Sequence, residues 1–167
     1  MSLERLWTPW RLAYVSGGGA ATGCVFCAAL NDDDAAPLIV FKGESCFVIL
    51  NLFPYNNAHL LVVPNRHVAT LAEATPAELN EVIALARIAE LAITETYAPH
   101  GMNLGINLGK PAGAGVPGHL HMHVVPRWDG DTNFMTVVGQ TRVLPEELPF
   151  TADKLRPIFE RLSKDPA

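Results

Sequence analysis

From His119 to Pro126 the chain reads His-Leu-His-Met-His-Val-Val-Pro, an alternation that only an extended strand can use. Side chains on a strand point to opposite faces in turn, so this spacing stacks His119, His121 and His123 on one face. Leu120, Met122 and Val124 then turn the other way, toward a core. Gly101 to Gly109 repeats the pattern, with Met102, Leu104, Ile106 and Leu108 on one face and Asn103, Gly105 and Asn107 on the other. Paired antiparallel, the two strands place Asn103, Asn107 and the three histidines on a shared polar surface, the natural seat of any chemistry.

The remaining elements fit an α+β chain. Ser45 to Asn51 and His59 to Val63 read as strands joined by the turn Pro54-Tyr55-Asn56-Asn57. Thr75-Pro76-Ala77-Glu78 carries a capping box with proline at the first helical position. Leu79, Val82, Ile83, Ala86, Ile93 and Tyr97 follow at helical spacing, until Pro99 and Gly101 end the helix. Residues 1–45 read as largely irregular, and the 145–167 tail as a short helix through Leu155, Ile158, Phe159 and Leu162. A chain of 167 residues with this pattern is expected to be one domain, 1–167, with a real core.

Several functions are disfavoured. A net charge of −5 argues against binding nucleic acid by neutralising phosphates, though not against a small anion held by local donors. No apolar run approaches the roughly 20 residues of a membrane span, and the first residues lack the basic start and apolar stretch of a secretory signal. A soluble, cytoplasmic protein is the expectation. Three cysteines make a disulfide scaffold improbable. Cys46, inside Cys46-Phe47-Val48-Ile49-Leu50, reads as a packing residue.

Spacing alone leaves the histidines three readings: a nucleophile with flanking groups that orient it and move protons, a metal site, or a solvated face. A neutral imidazole is a competent nucleophile when one nitrogen is free and the other holds its proton against an acceptor. The loop Gly109 to Gly118, rich in glycine and proline, could present successive N–H groups to a phosphate, or be merely a turn. It is no P-loop, since it lacks the G-K-[ST] signature and leads into a strand. Cys24-x-x-Cys27 has zinc-site spacing but no second such pair, so histidines would have to complete the ligands. A redox pair and two unpaired thiols remain the alternatives. Arg11, Arg66, Lys110 and Arg127 are candidates for positive potential, and His100 reads as a turn residue.

His119-Leu-His121-Met-His123-Val-Val resembles the His-φ-His-φ-His-φ-φ motif of the histidine triad (HIT) superfamily. Val48-Ile49-Leu50-Asn51 to His59-Leu-Leu-Val-Val-Pro64 resembles that family's earlier motif. Leu6-Trp7-Thr8-Pro9-Trp10-Arg11 and Pro126-Arg127-Trp128 to Phe134 are similar to the bacterial branch that includes diadenosine tetraphosphate phosphorylases. The resemblance implies an antiparallel sheet of about five strands with one long helix, usually paired into a homodimer. It implies cleavage at the α-phosphate of dinucleoside polyphosphates, by a phosphorylase or a hydrolase, with His121 forming a nucleotidyl-histidine. His123 and His59 would orient it and relay the proton, and His119 completes the triad. Asn51 would hold the ribose, Asn107 with Gly113 and Gly115 the phosphate, and Trp128 would lie at the phosphate end. The same likeness implies structural zinc on Cys24, Cys27, His67 and His119. A purine-nucleoside phosphoramidase, or a zinc-stabilised nucleotide-binding module with little activity, are the alternatives. One departure stands out: Gly115-Val116-Pro117-Gly118 lacks the Gln and Ser or Thr donors of many such hydrolases, leaving backbone N–H groups in their place.

Overall fold

The computed structural model describes residues 23–31, 38–132 and 145–164. The sequence segments Leu6 to Arg11 and Asn133-Phe134 lie outside them. In chain order the elements are α1 (Val25–Asn31), β1 (Ile39–Lys42), β2 (Cys46–Leu50), β3 (Leu60–Pro64), α2 (Pro76–Tyr97), β4 (Gly101–Ile106), β5 (Met122–Arg127) and α3 (Leu148–Lys164). The strands form one antiparallel sheet in the order β1-β2-β3-β5-β4; the sequence pattern predicts the β2–β3 and β4–β5 pairs, and the family resemblance implies the five-stranded sheet.

Two apolar layers clasp the sheet. Cys46, Val48, Leu50, Leu60, Val62 and Val124 face α2 and α3, packing on Ala86, Ala89, Ile93, Leu155 and Phe159. Phe47, Ile49, Leu61 and Val63 face the other way and meet Phe26 and Ala29 of α1. Burial on both faces explains why β2 and β3 read as unbroken apolar runs. Each Leu or Val so buried contributes about 1.5–3 kcal/mol before entropy is counted.

The capping box at the start of α2 is formed as predicted. Glu78 N donates to Thr75 Oγ1 at 3.2 Å, and Thr75 N donates to Glu78 Oε2 at 2.7 Å. Ile83, placed by periodicity on the core stripe, is instead 61% exposed, because the buried stripe runs through Val82, Leu85, Ala86 and Ala89. Residues 1–45 are less irregular than expected: α1 and β1 lie there, each too short to leave a periodic signal. The C-terminal helix is also longer than its apolar pattern, beginning at Leu148 and burying the small side chains Thr151 and Ala152.

The histidine strand is the largest difference. Only His123 lies within β5, while His119 and His121 precede it in non-ladder backbone. Leu60 pairs with Val124 and Val62 with Met122, so the next residues on this ladder lead toward Pro64, which has no N–H to donate. The incoming chain bonds elsewhere, with Leu120 N donating to Val68 O at 2.6 Å. β4 likewise stops at Ile106 rather than Gly109.

Candidate active site and metal centre

His123 pairs with Leu61 on one side and Gly105 on the other, which sets it on the α1 face of the sheet. The hydrogen bonds around it fix each imidazole's protons. Tyr55 N, which can only donate, reaches His59 Nδ1 at 3.1 Å, so that nitrogen accepts. The His59 proton therefore sits on Nε2 and is given to His123 Nδ1 at 2.9 Å. His123 in turn carries its proton on Nε2.

His121 is fixed the opposite way round. Its Nδ1 lies 2.8 Å from the carbonyl oxygen of His119, which can only accept, so Nδ1 is protonated and Nε2 keeps its lone pair. His121 is 4% exposed and His59 fully buried. Phe26 covers His121, with ring centroids 5.1 Å apart, and the His121 and His123 rings meet edge to face at the same separation. Burial lowers the pKa of His121; the bond to the His119 carbonyl opposes this only in part. Burial, then the neighbouring His121, lowers His123 to about 4. The site thus holds a neutral imidazole with a free nitrogen beside a second whose proton points outward.

His119 faces away from this pair. Its Nε2 donates to Pro64 O at 2.8 Å, which turns Nδ1 toward Cys24 Sγ at 3.2 Å and Cys27 Sγ at 3.6 Å. Cys27 Sγ lies 3.4 Å from His67 Nδ1. One ligand atom from each of Cys24, Cys27, His67 and His119 falls within 4.8 Å of every other. A tetrahedral zinc with ordinary Zn–S and Zn–N bonds sets its ligand atoms about 3.5 Å apart, so this donor set fits that ion. The carbonyl on the far nitrogen of His119 is the orientation that ligating imidazoles usually have. Val25 and Phe26 occupy the two positions between the cysteines, so the turn that sets the thiols also sets the ring over His121.

The other predicted residues spread around this centre. Asn51 Nδ2 is 3.3 Å from His59 Nδ1, and its Oδ1 accepts from Phe53 N. Gly113 closes a short 3-10 turn at Lys110–Ala112 with φ +95°, and exposed Gly115 follows it in the loop before His119. Asn107 is half-buried beside His123 along one cavity wall. Trp128 stands in the turn past β5, where its backbone bonds Asp131. Arg66 spends its charge on Glu78 and the Glu73 carbonyl, and His100 pairs with Asp129, so neither is turned to the site. Arg11 lies outside the described residues.

Sequence reasoning did not find Phe26, Tyr55 or the network that locks the 51–59 loop. Asn56 Nδ2 donates to Pro126 O and to Asp131 Oδ2, both at 2.8 Å, while Arg127 pairs with the same carboxylate at 2.6 Å. The Arg127 guanidinium, with help from Asn56, holds the Asp131 carboxyl well below the usual range. The one local signal was the Arg127/Asp131 spacing; the tie to Asn56 spans 75 residues.

Known proteins resemble this chain in sequence and in fold. The family model described as HIT domain matches residues 34–130. The AP-4-A phosphorylase of Mycobacterium tuberculosis is 40% identical over 154 residues, spanning 87% of this chain and 79% of that one. The asymmetrical bis(5'-nucleosyl)-tetraphosphatase of Schizosaccharomyces pombe is 32% identical over 93 residues, 56% of this chain and 50% of that protein. Among solved structures, a zinc-bound histidine triad family protein from Mycobacterium smegmatis aligns with a TM-score of 0.69 and 28% identity, over 85% of this chain and 96% of that one.

Proposed function

This chain belongs to the HIT domain family, and from that premise we propose that it cleaves dinucleoside polyphosphates at an α-phosphorus through a nucleotide carried on His121. The observation that carries the reading is the pair of opposed tautomers, His121 with a bare Nε2 and His123 with a protonated one. The names of the mycobacterial and fission-yeast relatives point to diadenosine tetraphosphate as the first substrate to try.

In the first half-reaction His121 Nε2 bonds to phosphorus, and the bond from phosphorus to its bridging oxygen breaks. The electron pair leaves on the bridging oxygen of a nucleoside triphosphate, which departs as an anion and accepts a hydrogen bond from His123 Nε2, while the charge formed on the His121 ring rests on its Nδ1–H against the His119 carbonyl. His59 Nε2 donates to His123 Nδ1 and so keeps the His123 proton on Nε2, facing the leaving oxygen. In the second, an oxygen of inorganic phosphate or of water attacks the same phosphorus and releases His121. Asn51 holds the ribose, and Asn107 with the N–H groups near Gly113 and Gly115 holds the phosphate. Trp128 closes the phosphate end.

Cys24, Cys27, His67 and His119 would hold zinc, whose contribution is structural: it ties α1 to the segment that leads into β5. With both nitrogens engaged, His119 serves as ligand rather than proton donor. Reduced thiols at this centre suit a reducing compartment such as the cytoplasm. β4 ends the sheet with an unpaired edge beside Leu104 and Leu108, each 43% exposed, and a homodimer formed along that edge would cover them.

Product analysis on diadenosine tetraphosphate tests the reading. A phosphorylase yields ADP and ATP only with phosphate present; a hydrolase yields AMP and ATP without it. Faster turnover of adenosine phosphoramidate would favour the phosphoramidase instead. AMP binding without turnover of either would leave a binding module.

A further inference from the structure

A cavity of about 320 Å³ opens on the β4–β5 side of His123, lined by Tyr55, Asn103, Gly105, Asn107 and Arg127 among others. That volume is of the size small-molecule sites use. His121 and Asn51 do not line it while His123 and Asn107 do, so it adjoins the transferred phosphate and extends away from the nucleophile and the ribose. We propose that this cavity is the subsite for the outgoing nucleoside triphosphate half of a dinucleoside tetraphosphate. The inference rests on the proposed function and adds to it the position of the leaving group.

Three features argue for it. The protonated Nε2 of His123 can serve only a leaving oxygen on its own side, and His123 forms part of the cavity wall. Asn107 stands in that wall as well, and so does Arg127, three of whose five N–H groups are taken by Asp131 and Asn103. The guanidinium is held in place by both oxygens of Asp131 and by Asn103 Oδ1, its Nη1 donating at 2.8 Å, which suits it to meet a polyphosphate without first being ordered. Third, Gly105 lies directly opposite His123 on β4, and a Cβ there would meet no atom within 4 Å. Any larger residue would fit the strand and occupy the cavity. The glycine is therefore what keeps the space open.

Substitution at Gly105 tests the proposal. We compare kcat/KM for diadenosine tetraphosphate with that for adenosine phosphoramidate, whose leaving group is only ammonia. Gly105→Ala and Gly105→Leu should lower the ratio in order of side-chain size, by roughly tenfold or more for leucine. Arg127→Gln should lower the same ratio and weaken product inhibition by ATP more than that by AMP. Circular dichroism and Tm establish that each variant is folded. A ratio within about twofold of the wild type in folded Gly105→Leu would overturn the subsite. In that case wild-type turnover of the tetraphosphate leaves the proposed function standing; a wild type inert to both donors removes the proposed function, and the subsite with it.

Discussion

Each histidine's role follows from which of its two nitrogens is already spoken for. Tyr55 N commits His59 Nδ1, and the His119 carbonyl commits His121 Nδ1, so backbone atoms set the protons before any ligand arrives. The same burial has a cost in acid. His123 falls from the ordinary 6.5 to about 4, chiefly by desolvation. Across that window the unfolded chain binds a proton that the folded chain refuses, so stability drops as pH is lowered from 6.5 toward 4. Urea midpoints at pH 7 and pH 5 should therefore differ less in His123→Gln than in the wild type; equal pH dependence would contradict the assignment. Glu78 runs lower still, held at about 2 first by Arg66 and then by Thr75 N, so its contribution is present above 4.5 and lost as pH falls through 2. Arg66 is half-exposed and its pairing is screened, and glutamine can still accept from Thr75 N, so Glu78→Gln should cost no more than about 1 kcal/mol in urea titration.

Two elements carry more than their length advertises. Helix α1 has seven residues and two buried side chains, too few for a helical period, which is why the sequence read it as irregular. Its place comes instead from long-range ties, Cys24 and Cys27 to histidines 40 to 95 residues away, visible in the sequence as a spacing but not as a helix. Cys24→Ser should cost zinc affinity by orders of magnitude, read by metal analysis of the purified protein. Stoichiometric zinc in that variant would contradict the ligand set. Strand β5 was legible as alternation, yet His119 and His121 stand before its ladder, since alternation does not reveal the register that sets this segment against Pro64. Strand β4 was legible as two faces, but not that it would end at Ile106 or that its apolar Leu104 would be exposed at an edge. Leu104→Glu should shift a homodimer toward monomer in sedimentation velocity; a wild type that is monomeric throughout would rule that interface out.

Taken together, the molecule is a sheet whose face against α2 and α3 supplies most of the apolar core and whose opposite face carries both the proposed metal centre and the proposed reactive one. The apolar periods of β2, β3 and α2 forecast the first face well, because burial leaves a repeating signature. The division of the second face left no such signature: it depends on Pro64 O and on the turn between Cys24 and Cys27, which only the folded chain brings to the histidines. The central claim is that His121, and not its neighbours, carries the nucleotide. Rapid quenching of the protein with diadenosine tetraphosphate, followed by peptide mass spectrometry under basic conditions that preserve phosphorus–nitrogen bonds, tests it directly. The account predicts one AMP on His121, absent from His121→Ala and retained when His123→Ala slows turnover. AMP on any other residue, or turnover by His121→Ala at the wild-type rate, would contradict it.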